Sequence, residues 1–155
     1  MSSAQTTVEA VRKSLVVKCS PERAFQVFTA EIGSWWPLQR YSIGEEKITE
    51  VVFEQKVGGR VFERHTDGGE GEWGRVLEWD PPHRFVMSWY PGGTAAEATE
   101  LEIRFAAHDD GARVELEHRG WEILGDAALE TRTSYDGGWA GVLADYEAAA
   151  NAANS

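Results

Sequence analysis

The stretch Tyr135–Ala150 reads YDGGWAGVLADYEAAA and contains the longest helical pattern in the chain. Its large apolar side chains recur at the spacing i, i+3, i+4 and i+7, which places them on one face of an α-helix. Alanine, the strongest helix former, occupies many of the other positions. We therefore predict a C-terminal helix whose apolar face packs against the rest of the chain, either as plain core or as one wall of a cavity. The residues of this face are Trp139, Val142, Leu143 and Tyr146.

Two adjacent glycines, Gly137 and Gly138, stand just before this apolar face. Each costs about 1 kcal/mol relative to alanine inside a helix. The pair predicts either a kink or the start of a second helical segment with Ser134 as its N-cap. In the second case a first segment is expected over Ala127–Thr133.

Most of the sequence before this helix alternates between apolar and polar residues, with the period of β-strands. Turns rich in glycine, proline and aspartate separate the last six runs, and they are too short for the crossovers that parallel strands need. We therefore predict a single antiparallel sheet of seven strands. The runs are Val11–Cys19, Ile48–Val57, Arg60–Thr66, Glu72–Trp79, Phe85–Trp89, Glu100–Phe105 and Arg113–Arg119.

Two short helices are predicted between the first and second strands. Ser20 is a favourable N-cap, and Pro21 suits the first helical turn. Pro37 is expected to end this segment directly after Trp35 and Trp36, which either plug the open end of the core or form a lid on a pocket. The predicted fold class is therefore α+β, with a curved seven-stranded antiparallel sheet wrapped around a long C-terminal helix.

Length and charge restrict the class of protein. The 155 residues suit one domain, which we place at residues 8–152 with flexible ends at 1–7 and 153–155. A net charge of −11 repels phosphate backbones and anionic lipids, so we expect no nucleic-acid or membrane partner. We also expect no signal peptide or membrane span, and the single Cys19 excludes an internal disulfide. These features favour a cytoplasmic protein.

The sequence contains no convincing cofactor or metal motif. The stretch GEGEWG at positions 69–74 matches GxGxxG, but it leads into a predicted strand and carries two glutamates that would repel a phosphate. The four histidines lack the spacing of metal ligands, and one cysteine does not complete a zinc set. We expect neither a cofactor nor a metal.

The predicted order of elements, together with several short motifs, resembles the START-like (helix-grip, SRPBCC) superfamily. Within it the chain is similar to bacterial single-domain members of the heat shock protein 90 ATPase activator homologue family, over most of its length. The motifs that carry the resemblance are Ser20–Phe25 (SPERAF), Gly58–Arg60 (GGR), Gly74–Pro82 (GRVLEWDPP), Ser88-Trp89, His118–Trp121 (HRGW) and Gly138-Trp139.

This resemblance implies an apolar cavity between the sheet and the long helix. It does not imply a reaction, because the members share no common set of catalytic residues. We expect this chain to lack a counterpart of the separate N-terminal domain with which the eukaryotic co-chaperone binds its chaperone, because its 155 residues leave no room for one. We therefore expect no chaperone activation by this chain.

Three polar residues on predicted strands are candidates for chemistry. Alternation places His118 on the apolar face of its strand, where it is either a hydrogen-bonded core histidine or a pocket histidine that orients a ligand. Glu63 and His65 share a face and form an acid/base pair only if that face points inward. We expect this face to be exposed to solvent.

The leading hypothesis is a protein that binds a hydrophobic or aromatic small molecule between sheet and helix. The alternatives are an enzyme of the polyketide cyclase or hydrolase type that uses a pocket histidine or glutamate, and a co-chaperone-like module with a protein partner or a homodimer. We assign no catalytic residue. The residues predicted to line the pocket are Trp36, Phe53, His65, Trp73, Met87, Trp89, Ile103, Leu116, His118, Trp139 and Leu143.

Overall fold

A computed structural model describes residues 8–36, 48–91 and 94–152. The flexible ends predicted at 1–7 and 153–155, and the predicted helix end at Pro37, lie outside the described residues. No helix of the described part is both long and apolar enough to cross a membrane. The elements are β1 (Val11–Val17), α1 (Pro21–Phe28), α2 (Ile32–Trp35), β2 (Ile48–Phe53), β3 (Arg60–His65), β4 (Glu70–Asp80), β5 (Arg84–Trp89), a 3₁₀ turn (Ala95–Glu97), β6 (Thr99–His108), β7 (Gly111–Arg119), a 3₁₀ helix (Trp121–Ala127) and α3 (Ala128–Ala152).

The seven strands form one antiparallel sheet in the order β1-β7-β6-β5-β4-β3-β2. Strands β2 to β7 are neighbours in both sequence and space, and β1 joins the far edge beside β7. The register shifts within β2, within β3 and at Val76 to Glu78 in β4. Such irregularities bend a strand and increase its twist, so the sheet curls around α3. The predicted α+β fold is confirmed.

Helix α1 begins as the sequence predicts. The Ser20 side chain accepts a hydrogen bond from the Arg23 amide at 3.1 Å, and Pro21 occupies the first turn. The helix turns Phe25 and Phe28 inward, where they pack edge to face on Phe105 of β6. This packing joins α1 to the sheet and fills the interior at that end.

The C-terminal helix α3 is continuous from Ala128 to Ala152, so the predicted kink or second segment at Gly137 and Gly138 is wrong. The predicted apolar face is buried as expected, from Trp139 to Tyr146. The Tyr146 hydroxyl also donates a hydrogen bond to the Ala24 carbonyl at 2.9 Å. Packing on both sides of the glycine pair holds the helix straight through it, since tertiary contacts outweigh a local propensity cost of about 1–2 kcal/mol.

A phenylalanine cluster fills one end of the space between sheet and helix. Ring centroids within this cluster are 5.0–6.4 Å apart when Trp79 is included, and most pairs meet edge to face or tilted. Such pairs add about 0.5–1.5 kcal/mol each beyond the burial of their area. The members of the phenylalanine cluster are Phe25, Phe28, Phe53, Phe85 and Phe105.

Candidate ligand-binding site

The other end of the interior contains a cavity of about 260 Å³ between the end of β5 and helix α3. Its wall comes from three parts of the chain: the residue that follows α2, the end of β5 with the loop after it, and the stretch of α3 from Ser134 to Val142. Most of this wall is aromatic or apolar. The lining residues are Trp36, Trp89, Pro91, Ser134, Tyr135, Gly138, Trp139 and Val142.

Three indole rings, which we call the tryptophan wall, contact one another around this cavity. The Trp89 and Trp139 centroids are 5.4 Å apart, those of Trp36 and Trp89 are 6.1 Å apart, and those of Trp36 and Trp139 are 6.0 Å apart. Each comes from a different element, so the cavity exists only when α2, β5 and α3 are assembled. The sequence predicted all three residues at the pocket.

Local backbone features hold two of these tryptophans in place. Trp36 caps α2, because its amide donates to the Ile32 carbonyl at 3.0 Å. Beside Trp89, β4 approaches β5 so closely that a Cβ on Gly74 would lie 1.8 Å from the Ser88 carbonyl oxygen. Only glycine allows this approach, which explains its place in the GRVLEWDPP motif.

His118 lies behind the tryptophan wall and is fully buried. The indole N–H of Trp139 donates to His118 Nδ1 at 2.9 Å. An indole nitrogen can only donate, so Nδ1 must be the unprotonated nitrogen and Nε2 carries the proton. Nε2 then donates to Thr99 Oγ1 at 2.7 Å, and the Thr99 hydroxyl donates onward to the Trp89 carbonyl at 3.2 Å. One histidine thereby supports two members of the wall.

Burial lowers the pKa of His118 to about 3, so the ring is neutral at pH 7. Both ring nitrogens have partners, and the residue lines neither this cavity nor the second one described below. Of the two alternatives for His118, this geometry matches the hydrogen-bonded core histidine. Its Nδ1 becomes available as a base only if Trp139 moves away.

Tyr135 supplies the polar group of the cavity wall that the sequence analysis missed. Trp89 Nε1 donates to its hydroxyl oxygen at 3.1 Å. Burial raises the pKa of Tyr135, against the lowering effect of the Trp89 hydrogen bond, so the phenol stays protonated at neutral pH. Its O–H donates to no residue among those described. A signal was present, because Tyr135 precedes Trp139 by four residues and extends the same helix face.

Glu63 and His65 point inward, and the expectation that this face is exposed is wrong for both. Glu63 is fully buried, and its carboxylate accepts from Trp73 Nε1 at 2.7 Å and contacts His65 Nε2 at 2.7 Å. Their face is that of Val61, which packs into the core. The carboxylate tolerates burial because indole and imidazole groups surround it, a pairing that alternation alone does not reveal.

The eleven residues predicted at the pocket thus separate into three groups. The three members of the tryptophan wall line the cavity, and His118 lies behind them. Trp73 and His65 belong to the polar cluster around Glu63, and the Trp73 ring packs tilted against Trp36 at 4.7 Å between centroids. The remaining five pack in the buried core and line neither cavity: Phe53, Met87, Ile103, Leu116 and Leu143.

A second cavity of about 160 Å³ adjoins the first. The two cavities share Trp89, Pro91 and Tyr135, so the hydrogen-bonded Trp89–Tyr135 pair stands at their boundary. Sequence analysis did not predict it, because part of its wall comes from the 3₁₀ helix Trp121–Ala127, which carries no strong periodic pattern. Its further lining residues are Tyr90, Glu97, Thr99, Trp121, Leu124 and Thr131.

One buried polar atom of a residue that lines the first cavity lacks a partner. The indole N–H of Trp36 is buried and has no hydrogen-bond partner among the described residues. A buried donor without a partner costs about 1–3 kcal/mol. No cluster of metal-ligating side chains exists in the described part of the chain. The described groups therefore suit the binding of an apolar molecule with a few hydrogen-bonding atoms.

Solved structures include one with substantial sequence similarity. An anthrahydroquino-γ-pyrone synthase, Txn09, solved in complex with a compound designated SUM, is 38% identical over 84% of this chain and 88% of that chain, with a TM-score of 0.59. No curated protein matches the chain.

Two more distant structures share the fold. Protein CV1439 from Chromobacterium violaceum is 20% identical, with a TM-score of 0.67, over 93% of this chain and 99% of that chain. The Aha1 dimer from Colwellia psychrerythraea is 18% identical, with a TM-score of 0.64, over 93% of this chain and 97% of that chain. At this level of identity they bear on the fold alone.

The model of one protein family matches residues 18–148. This span includes α1, both tryptophans after it, β2 to β7 and most of α3, and therefore every residue of the first cavity. The resemblance inferred from the sequence motifs is thereby confirmed. The chain belongs to the family of Activator of Hsp90 ATPase homolog 1-like proteins.

Proposed function

We propose that the chain binds a flat, polycyclic aromatic carbonyl compound in the cavity bounded by the tryptophan wall. The observation that carries this proposal is the convergence of three indole rings from three elements on one cavity of about 260 Å³. Indole rings that border a cavity can contact an aromatic ligand favourably, at about 0.5–1.5 kcal/mol per aromatic pair beyond buried area.

Two hydrogen-bond donors support a carbonyl-bearing ligand over a hydrocarbon. The Tyr135 hydroxyl accepts from Trp89, which leaves its own O–H to donate. The Trp36 N–H has no partner among the described residues and is itself buried, so a ligand reaches it only when the Trp36 ring moves. A site with unused donors selects ligands with acceptors, because an analogue without them leaves buried polar groups unpaired.

Exposed apolar residues of the described part argue against an interaction module as the main role. The largest of them belong to five different elements or turns and include Val57, Leu77 and Leu129. Protein-binding surfaces need contiguous apolar patches of several hundred Å². The co-chaperone-like alternative therefore has less support than small-molecule binding.

Isothermal titration with 1,8-dihydroxyanthraquinone tests the proposal. We expect saturable binding of one molecule per chain. Ser134→Phe places a ring in the cavity from an exposed helix position, and it should weaken binding about tenfold or more because it removes contact area. Ala140→Phe is the matched control on an exposed position of the same helix that lines neither cavity. No saturable binding, or equal weakening by both variants, contradicts the proposal.

A cyclase activity is the second candidate, and the similarity to Txn09 favours it. A γ-pyrone ring closes on an ortho-hydroxyaryl 1,3-diketone when the phenol oxygen bonds to the far carbonyl carbon. That carbonyl oxygen then takes up the phenol proton and a proton from the intervening methylene, and leaves as water. The step needs no oxidant or cofactor. Tyr135 would polarise the attacked carbonyl by donating a hydrogen bond to it.

The cyclase candidate is tested with 1-(1-hydroxy-2-naphthyl)butane-1,3-dione, whose ring closure changes its ultraviolet absorption. We expect the protein to accelerate closure and Tyr135→Phe to reduce the rate by about a hundredfold, the usual effect of removing one oxyanion donor. Binding of the diketone should fall by about tenfold at most. If the ring closes at the same rate with and without the protein, the enzymatic function is contradicted and the binding function is unaffected.

A further inference from the structure

We infer that the two adjoining cavities are compartments of one site for an aryl alkyl ketone, with the rings in the first, the alkyl chain in the second and the carbonyl at Tyr135. This inference rests on the proposed function and specifies its ligand class. Three residues, Trp89, Pro91 and Tyr135, line both cavities and form the boundary between them.

The volumes support a joint site. Ligand pockets usually measure about 300–1,000 Å³. The first cavity, at about 260 Å³, and the second, at about 160 Å³, both fall below this range. Together they lie within it. A molecule that uses only the tryptophan-lined compartment leaves an adjoining space unfilled.

The two compartments differ in their walls. The first has three indole faces, which suit fused aromatic rings. The second has Leu124, Pro91 and the ring of Trp121. The hydroxyl of Thr99 in that wall is already engaged by His118 and the Trp89 carbonyl. Tyr90, Glu97 and Thr131 make the rest of this wall more polar, so a short alkyl chain would lie against the apolar part.

The charge at the second cavity restricts the end of that chain. Glu97 lines this cavity from an exposed position and is the only charged residue among its described lining residues. A carboxylate at the end of the ligand chain would meet this negative side chain and the net charge of −11. The compartment therefore suits an uncharged chain better than a fatty acid.

The position of Tyr135 indicates which functional group of the ligand connects its rings to its alkyl chain. In an aryl alkyl ketone the carbonyl lies between the ring system and the alkyl chain. In the protein Tyr135 lines both the ring compartment and the chain compartment, and its hydroxyl accepts a hydrogen bond from the N–H of Trp89 at 3.1 Å. Its O–H, which has no acceptor among the described residues, can donate to that carbonyl.

Three fluorescent probes test this arrangement: 6-dimethylamino-2-hexanoylnaphthalene, its acetyl homologue, and the 2-hexyl analogue that lacks the carbonyl. We expect the hexanoyl ketone to bind about tenfold or more tighter than the acetyl ketone, because four further methylenes are buried. Tyr135→Phe should weaken both ketones about two- to tenfold and leave the hexyl analogue unchanged, since only the ketones lose a hydrogen bond.

A variant that fills the second compartment distinguishes binding of the ligand's alkyl chain from binding of its rings. Thr131→Phe lies in the wall of that compartment and should reduce the affinity for the hexanoyl ketone to that for the acetyl ketone. Glu130→Phe, an exposed neighbour on the same helix that lines neither cavity, should change neither affinity. Circular dichroism confirms that each variant is folded.

The outcomes distinguish this inference from the proposed function. Equal affinities for the hexanoyl and acetyl ketones, or no effect of Thr131→Phe, overturn the two-compartment site while aromatic binding stands. Equal losses for the ketones and the hexyl analogue in Tyr135→Phe overturn the carbonyl contact. Failure of all three probes and of 1,8-dihydroxyanthraquinone to bind refutes the proposed function and the inference together.

Discussion

The two ends of the interior are both aromatic, yet they are built from different residues. At one end the phenylalanine cluster packs ring against ring, with Phe28 4.9 Å from Tyr146 of α3. At the other end, tryptophans surround two cavities, and no phenylalanine lines either. The same helix covers both ends, so the difference comes from the side chains and not from the backbone.

The indole nitrogen explains much of this difference. A phenylalanine has no polar atom and can pack on any apolar neighbour, whereas a buried indole N–H needs an acceptor. Trp73, Trp89 and Trp139 each find one, in Glu63, Tyr135 and His118 respectively. The hydrogen bonds of Trp89 and Trp139 hold these two rings at the cavity border. The comparison predicts separate effects on stability and on ligand binding at the two ends.

The largest effect on stability is expected at the phenylalanine cluster. Phe85→Ala should lower the free energy of unfolding by about 3–5 kcal/mol, because Phe85 is fully buried among other rings. Urea denaturation measures this loss. The affinity of the folded variant for 1,8-dihydroxyanthraquinone should equal that of the wild type. A clear loss of affinity in the folded variant would show that the two ends are coupled.

The pH dependence of the free energy of unfolding should reflect the protonation of His118, which lies at the tryptophan end. Its pKa is about 3 in the folded protein and about 6.5 in the unfolded chain. Below pH 6.5 the unfolded chain takes up a proton that the folded protein does not, so stability falls as the pH is lowered towards 3. We expect a loss of about 2–3 kcal/mol between pH 6.5 and 4.5, at about 1.4 kcal/mol per pH unit.

The titratable groups Tyr135 and Glu102 do not change the free energy of unfolding between about pH 6.5 and 4.5. Around His118 the rings are Trp89, Trp121, Tyr135 and Trp139, of which only Tyr135 titrates, with a raised pKa. On the outer face of the sheet, burial acts to raise the pKa of Glu102, but hydrogen bonds from its three arginine partners lower it to about 2. The stability that Glu102 contributes is therefore lost only below about pH 4.5.

Two variants provide the controls for this pH series. His108→Gln, at a half-exposed histidine, should retain the slope between pH 6.5 and 4.5, and His118→Gln should flatten it. An NMR titration of the His118 ring in the wild type gives the folded-state pKa directly. A slope that is flat in the wild type, or a folded-state pKa near 6.5, contradicts the hydrogen-bonded neutral ring.

A smaller loss of stability is expected when one indole N–H is removed. Trp139→Phe keeps an aromatic ring but leaves His118 Nδ1 buried without its donor, which costs about 1–3 kcal/mol. The affinity for 1,8-dihydroxyanthraquinone should fall as well. Trp79→Phe is the matched control, since Trp79 packs beside the phenylalanine cluster and should not affect affinity. Equal affinities in the two variants would place the ligand elsewhere.

The smallest expected effect is on the ATPase activity of a chaperone. The isolated chain should not stimulate the ATPase of heat shock protein 90, because its cavity residues suit a small molecule and the large exposed apolar residues of the described part belong to five different elements or turns. A coupled ATPase assay at micromolar protein measures this. Reproducible stimulation of several-fold would favour the interaction-module alternative over ligand binding.

The fold was predictable because its signals are local. Seven alternating runs, short turns and one helical stripe specify a meander sheet with one covering helix, and Ser20 with Pro21 marks the start of α1. The continuous path of α3 through Gly137 and Gly138 was not predictable, since it depends on packing along the whole helix.

The site was predictable only in part because its contacts are distant in sequence. Within the tryptophan wall, Trp89 followed from strand alternation, Trp139 from the helix stripe and Trp36 from the Trp35-Trp36-Pro37 segment. The partners of His118 are 19 and 21 residues away, and Trp89 is 46 residues from Tyr135. Glu63 illustrates the same difficulty, because its burial depends on Trp73 in the next strand. The burial of a polar residue can be predicted from sequence only when its hydrogen-bond partner can be predicted as well.

The central claim, that the tryptophan wall borders a binding site for an aromatic ligand, is tested most directly by NMR of the seven indole N–H groups. On titration with 1,8-dihydroxyanthraquinone, the signals of Trp36, Trp89 and Trp139 should shift together and saturate with a single dissociation constant. The signal of Trp79, beside the phenylalanine cluster, should stay in place. If those three signals do not move, or if Trp79 shifts as much as they do, the cavity is not the binding site.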